Sequence, residues 1–128
     1  MRLLLDTHLL LWAVAGSDRL SAAARVLLEN PENQLFCSVA SLWEIAIKTG
    51  LRRADFEVRL PPLRKALARM GIEELAVLGS HTEQLLQLPA HHKDPFDRML
   101  LAQSMAEPLV LLTNDELLLQ YWDGVRLV

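Results

Sequence analysis

Two aspartates follow aliphatic runs that have the length and composition of buried strands. Asp6 comes directly after Leu3–Leu5, and Asp115 comes after Leu109–Leu112 and a short polar turn. In an open parallel sheet, ligands bind beyond the carboxyl ends of the strands. If both runs are parallel strands, the two carboxylates leave the same edge of the sheet and can share one pocket.

Two further acids belong to helices that would border the same edge. Glu44 falls inside a helix predicted for Val39–Lys48, and Asp97 falls in the first turn of a helix that begins at Asp94-Pro95. Asp94 suits the N-cap position and the proline after it suits the first helical position. The sequence therefore predicts a pocket with four carboxylates.

Carboxylates that share a pocket resist ionising together unless a cation neutralises them. Oxygen ligands favour hard ions, magnesium or manganese, over zinc. An ion of this kind activates a bound water and neutralises charge on phosphoryl oxygens, which is the chemistry of phosphodiester hydrolysis. The acids therefore predict a metal-dependent nuclease that binds one or two ions.

Each acid can be given a role in that scheme. We assign Asp6 and Asp97 as the principal metal ligands, and Asp115 as a further ligand that acts directly or through water. Glu44 would orient or deprotonate the attacking water. Two hydroxyls could hold metal-bound waters, those of Thr7 and Thr113.

Each acid also has a purely structural interpretation. Asp6 could simply end a strand, Asp97 is a residue type that the helix dipole favours in a first turn, and Asp115 could cap a short helix. Singly, each acid is weak evidence for a site.

Glu44 has the most specific structural alternative. It lies three residues after Ser41, which is the spacing of a capping box. A helix that begins at Ser38 would instead place Glu44 well inside the helix.

Aliphatic and amphipathic segments alternate along the whole chain. The predicted strands are Arg2–Leu5, Gln34–Cys37, Glu74–Leu78, Leu109–Leu112 and Val125–Leu127. The predicted helices are His8–Ala15, Ala22–Glu29 with Ser21 as its cap, Val39–Lys48, Pro61–Arg69, His81–Leu88 with Ser80 as its cap, Pro95–Ala106 and Glu116–Tyr121. This alternation predicts an α/β protein with a parallel sheet covered on both faces.

Composition predicts a single domain over residues 1–128. The chain is 52% apolar, which is enough to fill one core, and its apolar runs are too short to span a bilayer. The start of the chain lacks the pattern of a secretory signal, and the lone Cys37 fits a reducing compartment as a buried apolar side chain. We expect a cytoplasmic protein with no membrane association.

Charge is distributed unevenly. The net charge is −3, but the segment Lys48–Arg69 carries seven cations against two acids, which gives it +5 and leaves the remainder at −8. The segment could be a solvated helix face or a basic arm that binds nucleic acid beside an acidic pocket.

Other chemistries have less support. The chain has no nucleophile elbow and no phosphate-binding P-loop, and adjacent His91 and His92 cannot share one helix face. We interpret all four histidines, His8, His81, His91 and His92, as core or surface residues, and Trp12, Trp43 and Trp122 as core or dimer contacts. A phosphatase with Asp6 as nucleophile would need a second aspartate at position 8, which is histidine.

The four acids occur in motifs that resemble those of a PIN domain of the VapC type, the toxin of a type II toxin–antitoxin pair. The resemblance covers the whole chain and is strongest in Leu3–His8, Ser41–Lys48, His92–Arg98 and Leu112–Asp115. It implies a three-layer α/β/α sandwich with a central parallel sheet, a magnesium-dependent endoribonuclease, a homodimer, and a small antitoxin that inserts into the active-site groove. The least family-like stretch is Gly50–Pro62.

The resemblance also implies which residues form the site. The acidic quartet of the family falls on Asp6, Glu44, Asp97 and Asp115, which agrees with the pocket inferred from the residues alone. Two supporting residues are implied beside it: Asp94 at the helix start, and Arg98 as a phosphate or carboxylate partner. The alternatives are a housekeeping nuclease and a module on the same fold that binds RNA or a partner without cutting.

Overall fold

A computed structural model describes residues 1–51, 58–89 and 94–128. Its strands are β1 (Arg2–Leu5), β2 (Gln34–Ser38), β3 (Ile72–Leu75), β4 (Val110–Thr113) and β5 (Val125–Leu127). Its α-helices are α1 (Thr7–Ala15), α2 (Ala22–Glu29), α3 (Val39–Gly50), α4 (Leu60–Arg69), α5 (Gly79–Gln84) and α6 (Pro95–Ala106). Two short 3₁₀ helices, Leu85–Gln87 and Glu116–Gln120, complete the described elements.

The strands form one parallel sheet in the order β3-β2-β1-β4-β5. In the central strand β1, Leu4 pairs with Phe36 of β2 on one side and Leu111 of β4 on the other. The chain runs outward from β1 to β3, then returns to add β4 and β5 on the opposite side. The strand order therefore reverses between β1 and β4, the point where open α/β sheets form their ligand crevice.

Helices cover both faces of the sheet. Leu3 and Leu5 of β1 belong to a core cluster with residues of α1, α2, α3 and α4, whereas Leu4 packs with Leu100 of α6 and Leu111. Successive side chains of a strand point to opposite faces, which explains this division. The expected α/β fold with three layers and a central parallel sheet is confirmed.

Most predicted helix ends are confirmed. Ser21 caps α2 by accepting a hydrogen bond from the Ala24 amide, and Gly16 ends α1 with a φ of +62° that favours glycine. Cys37 is fully buried in β2, as expected. In the part of the chain that the structure describes, none of the helices has the length and apolar character needed to traverse a bilayer.

The segment around β3 and α5 differs from the sequence prediction. β3 is Ile72–Leu75 rather than Glu74–Leu78, because it is an edge strand in which Ile72 is buried while the two glutamates after it are exposed. Helix α5 begins at Gly79, and Ser80 is not its cap. The imidazole of His81 accepts a hydrogen bond from the Leu78 amide at 2.9 Å instead.

Candidate active site

The carboxyl ends of β1 and β4 open into a cavity of about 490 Å³. This cavity lies at the point where the strand order reverses. Its lining contains all four acids of the predicted quartet. The lining residues are Asp6, Thr7, His8, Trp12, Arg19, Glu44, Lys48, Asp94, Asp97, Asn114 and Asp115. The fold therefore brings together acids that are separated by up to 109 positions in the sequence.

Asp6 is the most deeply buried acid of the cavity, with 5% of its surface exposed. It is the N-cap of α1, and its Oδ1 accepts a hydrogen bond from the Leu9 amide at 2.9 Å. Its Oδ2 accepts a hydrogen bond from the Thr113 hydroxyl at 2.6 Å. Burial raises the pKa of Asp6 above its ordinary value, and these hydrogen bonds oppose the increase.

Thr113 connects the two strand ends. Its side chain is fully buried, and its oxygen accepts a hydrogen bond from the Asp115 amide at 3.0 Å while its proton goes to Asp6. Asp115 in turn caps the 3₁₀ helix, because its Oδ1 accepts from the Leu117 amide at 3.0 Å. The predicted capping role of Asp115 is therefore present, and the same residue lines the cavity.

Glu44 lies well inside α3, because the N-cap of this helix is Ser38, which accepts from the Ala40 amide at 3.0 Å. The capping-box interpretation of Glu44 with Ser41 is therefore wrong. Glu44 has 7% of its surface exposed, and its Oε1 accepts a hydrogen bond from the Thr7 hydroxyl at 2.8 Å.

The start of α6 supplies the remaining acids. Asp94 is the N-cap, as predicted, and its Oδ1 accepts from the amides of Phe96 at 2.9 Å and Asp97 at 3.3 Å. Asp97 lies in the first turn of this helix and lines the cavity. Arg98, the other predicted supporting residue, is not part of the described lining; its guanidinium donates to the carbonyl of Pro89 at 2.7 Å.

The cavity fits a hydrated hard cation. Among the described residues, no three acids, histidines or cysteines are already grouped as a metal-binding cluster. Magnesium commonly takes only one or two carboxylates and keeps several waters, so it does not need such a cluster. The donors are predominantly carboxylate oxygens, and a buried carboxylate with a raised pKa, that of Asp6, gains from a nearby positive charge.

Several lining residues had not been assigned to the site from the sequence: His8, Trp12, Arg19, Lys48 and Asn114. For Lys48 a signal existed, because it follows Glu44 by four positions, which is one helical turn. Trp12, expected in the core or a dimer contact, is half-buried and lines the cavity as well as packing on the core.

The structure clarifies only part of the predicted basic arm. Arg52, Arg53, Asp55 and Glu57 lie outside the described residues, as do His91 and His92. Arg64 forms an exposed ion pair with Glu74 at 2.7 Å and does not line the cavity.

The chain is similar to known proteins in sequence pattern and in fold. The model of the PIN domain family matches residues 3–121. No curated protein matches the sequence. A chain in the crystal structure of VapBC2 from Rickettsia felis, bound to a DNA fragment from its promoter, superposes with a TM-score of 0.70 at 16% identity, covering 100% of this chain and 98% of that one.

Two other solved structures are similar. A chain of a toxin–antitoxin complex from Klebsiella pneumoniae gives a TM-score of 0.64 at 19% identity and covers 96% of this chain and 94% of that one. A chain of DNA-bound VapBC from Salmonella typhimurium gives 0.63 at 19% identity and covers 100% and 97%. At these identities the likeness shows a shared fold.

Proposed function

The chain belongs to the PIN domain family, and we propose that it is a metal-dependent endoribonuclease that hydrolyses phosphodiester bonds of RNA. One observation carries the proposal: Asp6, Glu44, Asp97 and Asp115 line a single cavity at the carboxyl ends of β1 and β4. Carboxylates concentrated at this point of an α/β sheet suit a hard cation and a phosphate substrate.

The residues of the cavity have distinct proposed tasks. Asp6 and Asp97 would hold magnesium or manganese, with Asp115 as a further ligand directly or through water. The bound ion would supply an activated water and neutralise charge on the phosphoryl oxygens. Glu44 would orient or deprotonate that water, and the hydrogen bond from Thr7 fixes the position of its carboxylate.

We further propose that the chain is the toxin of a type II toxin–antitoxin pair in the cytoplasm, inhibited by a small antitoxin. The three similar structures are described as VapBC or toxin–antitoxin complexes. A second groove of about 820 Å³ lies between α1 and α4, and Trp12 and Arg19 line both this groove and the acidic cavity. Its apolar floor, with Arg59 and Arg69 beside it, suits an amphipathic segment that carries acidic residues.

A homodimer is also proposed, on the exposed apolar surface of α3 and α6. Trp43 is 63% exposed and packs edge-to-face on Phe96 with ring centroids 5.2 Å apart. Val39, Val77 and Met99 line the adjoining apolar pocket. A large tryptophan in such a surface suits a protein interface, since aromatic residues are enriched at interface cores.

The test is cleavage of a panel of structured RNAs, including transfer RNAs, by the purified chain with magnesium, manganese or EDTA. We expect cleavage that requires the metal and is lost in Asp6→Asn. Asp123→Asn, which makes the same change at an exposed carboxylate outside the cavity, is the matched control and should cut normally.

The same experiment distinguishes the alternatives. A folded, metal-bound chain that binds RNAs of the panel but cuts none of them would contradict the nuclease and favour a binding module. Cleavage that persists in Asp6→Asn, or in EDTA, would contradict the proposed site.

A further inference from the structure

Lys48 forms an ion pair with an acid of the proposed catalytic quartet. Its ammonium lies 2.9 Å from Oε2 of Glu44, one helical turn before it on α3. The Lys48 side chain is 32% exposed, whereas that of Glu44 is 9% exposed. Lys48 therefore lies at the mouth of the cavity and reaches inward to a buried carboxylate.

Both oxygens of Glu44 thus have partners within the chain. The Thr7 hydroxyl donates to Oε1 at 2.8 Å, and the Thr7 oxygen lies 2.9 Å from the Ser41 hydroxyl. A hydroxyl carries a single proton. Because the Thr7 proton goes to Glu44, the hydrogen bond between Thr7 and Ser41 must use the proton of Ser41. Thr7, which is itself held by Ser41, contacts Oε1 from inside the protein, while Lys48 contacts Oε2 from the solvent side.

The charged side chains of the cavity lining are mostly acidic, and this makes the positive charge of Lys48 important. The described lining contains five carboxylates but only two side chains that are permanently cationic, Arg19 and Lys48. A polyanion such as RNA is repelled by the carboxylates and needs positive charge at the mouth. A lysine is a compact charge on a flexible stem, so it can turn from one oxygen anion to another over a few ångströms.

We propose that Lys48 exchanges partners: it neutralises Glu44 in the metal-free protein and binds an RNA phosphate when metal and substrate occupy the cavity. This inference rests on the proposed function. In the metal-free protein the Lys48 ammonium and an incoming metal ion compete for the same negative charge. Once an ion compensates the carboxylates, the attraction between Lys48 and Glu44 weakens, and the substrate phosphate becomes the stronger partner.

An exposed ion pair one helical turn apart is commonly just a surface contact that contributes little to stability. Two features distinguish this one. Glu44 is almost fully buried and held by a second hydrogen bond from Thr7, and both partners line the cavity that contains Asp6. An ion pair that only stabilised a helix outside the cavity would affect neither metal affinity nor phosphate binding when its lysine is removed.

The experiment compares Lys48→Met, Lys48→Arg and Arg126→Met in two assays. Methionine keeps the apolar stem of lysine without its charge, arginine keeps the charge, and Arg126 is an exposed cation of β5 outside the cavity lining. The first assay is calorimetric titration of the RNA-free protein with manganese. Lys48→Met should bind manganese about threefold to tenfold more tightly, since a competing positive charge is gone.

The second assay is binding of a labelled, mixed-sequence single-stranded RNA in magnesium at several salt concentrations, with RNA integrity checked on a gel. Loss of one phosphate contact should make the slope of log affinity against log salt less steep by about 0.7 in Lys48→Met. Lys48→Arg should restore the slope, and Arg126→Met should match the wild type in both assays.

The proposal that Lys48 exchanges partners is overturned if Lys48→Met has the wild-type affinity for manganese, or if its RNA affinity depends on salt as steeply as that of the wild type. Failure of the proposed nuclease is a separate result. It would appear as a wild-type chain that cuts no RNA, and the manganese titration would still decide whether Lys48 competes with the metal.

Discussion

Replacing the buried Asp6 by asparagine should stabilise the metal-free protein while removing much of its response to metal. Asparagine has the shape of aspartate and carries no charge. Its side-chain oxygen can accept from the Leu9 amide as Oδ1 of Asp6 does, and its NH₂ group can donate to the Thr113 oxygen. The substitution therefore removes a buried charge and keeps the contact with the Leu9 amide, but it reverses the hydrogen bond with Thr113, whose proton loses this acceptor.

The expected magnitude follows from two opposing contributions. Exchanging the carboxylate for a neutral amide weakens the hydrogen bond from the Leu9 amide by about 1 kcal/mol, and reversing the hydrogen bond with Thr113 costs about the same, or about 2 kcal/mol together. Removing a carboxylate that is 95% buried relieves a desolvation cost of about 3–4 kcal/mol. Burial is the largest influence on the pKa of Asp6, so the second contribution should prevail and stabilise Asp6→Asn by about 1–2 kcal/mol.

The pH dependence has a definite sign. Burial raises the pKa of Asp6 in the folded chain above the ordinary value of 3.8, so the folded chain binds this proton more tightly than the unfolded chain. The resulting destabilisation is absent below pH 3.8, grows as the pH rises through the folded-state pKa, and is complete above it. The gain in folding stability of Asp6→Asn over the wild type should therefore be largest at neutral pH and disappear in acid.

Chemical denaturation at several pH values, with and without magnesium, measures these effects. Metal at a hundredfold excess over its dissociation constant should stabilise the wild type by about 2.7 kcal/mol. It should stabilise Asp6→Asn clearly less, so that saturating metal reverses the order of stability. A metal-free Asp6→Asn that is less stable than wild type at pH 7, or that gains as much from metal, would refute the reasoning.

Three further predictions concern single contacts. Thr113→Val removes the hydrogen bond to Asp6 and the one from the Asp115 amide, so it should lower the free energy of unfolding by about 2–4 kcal/mol. It should also raise the pKa of Asp6 and weaken metal binding, whereas Thr113→Ser should retain most of the stability and most of the metal affinity. Asp94→Ala should lower the free energy of unfolding by about 1 kcal/mol and Asp94→Asn by only a few tenths, and equal losses would contradict its capping role. Trp43→Lys should shift the sedimentation of a dimer to that of a monomer without unfolding it, and an unchanged dimer would place the interface elsewhere.

The sequence predicted the helix start at α6 well because its signals are local. Asp94 and Pro95 specify an N-cap and a first helical position without help from the rest of the chain. The segment around β3 was harder, because the run after Glu74 is more apolar than the strand itself. An edge strand needs only part of its surface buried, so hydrophobicity alone did not mark its boundaries.

The cap of α5 shows the same limit in another form. Ser80 has the residue type of a cap, but it is Nδ1 of the buried His81 that accepts a hydrogen bond from the Leu78 amide. Nε2 of the same imidazole lies 2.5 Å from Oε2 of Glu107. That partner is 26 positions away, at the end of α6. A contact over this distance depends on how the two helices pack, which a local pattern does not contain.

The sequence by itself determined which residues could do chemistry and which elements would carry them. The alternation of aliphatic and amphipathic segments specified the parallel sheet, and carboxylates after two strands specified its acidic edge. Only the tertiary structure decided what surrounds those acids. The hydroxyl of Thr113 on Asp6 and the ammonium of Lys48 on Glu44 exist because strand order and helix packing bring these groups within hydrogen-bonding distance. Burial and electrostatic partners are properties of that three-dimensional arrangement, and they set the protonation of the site and would set its affinity for the proposed metal and substrate.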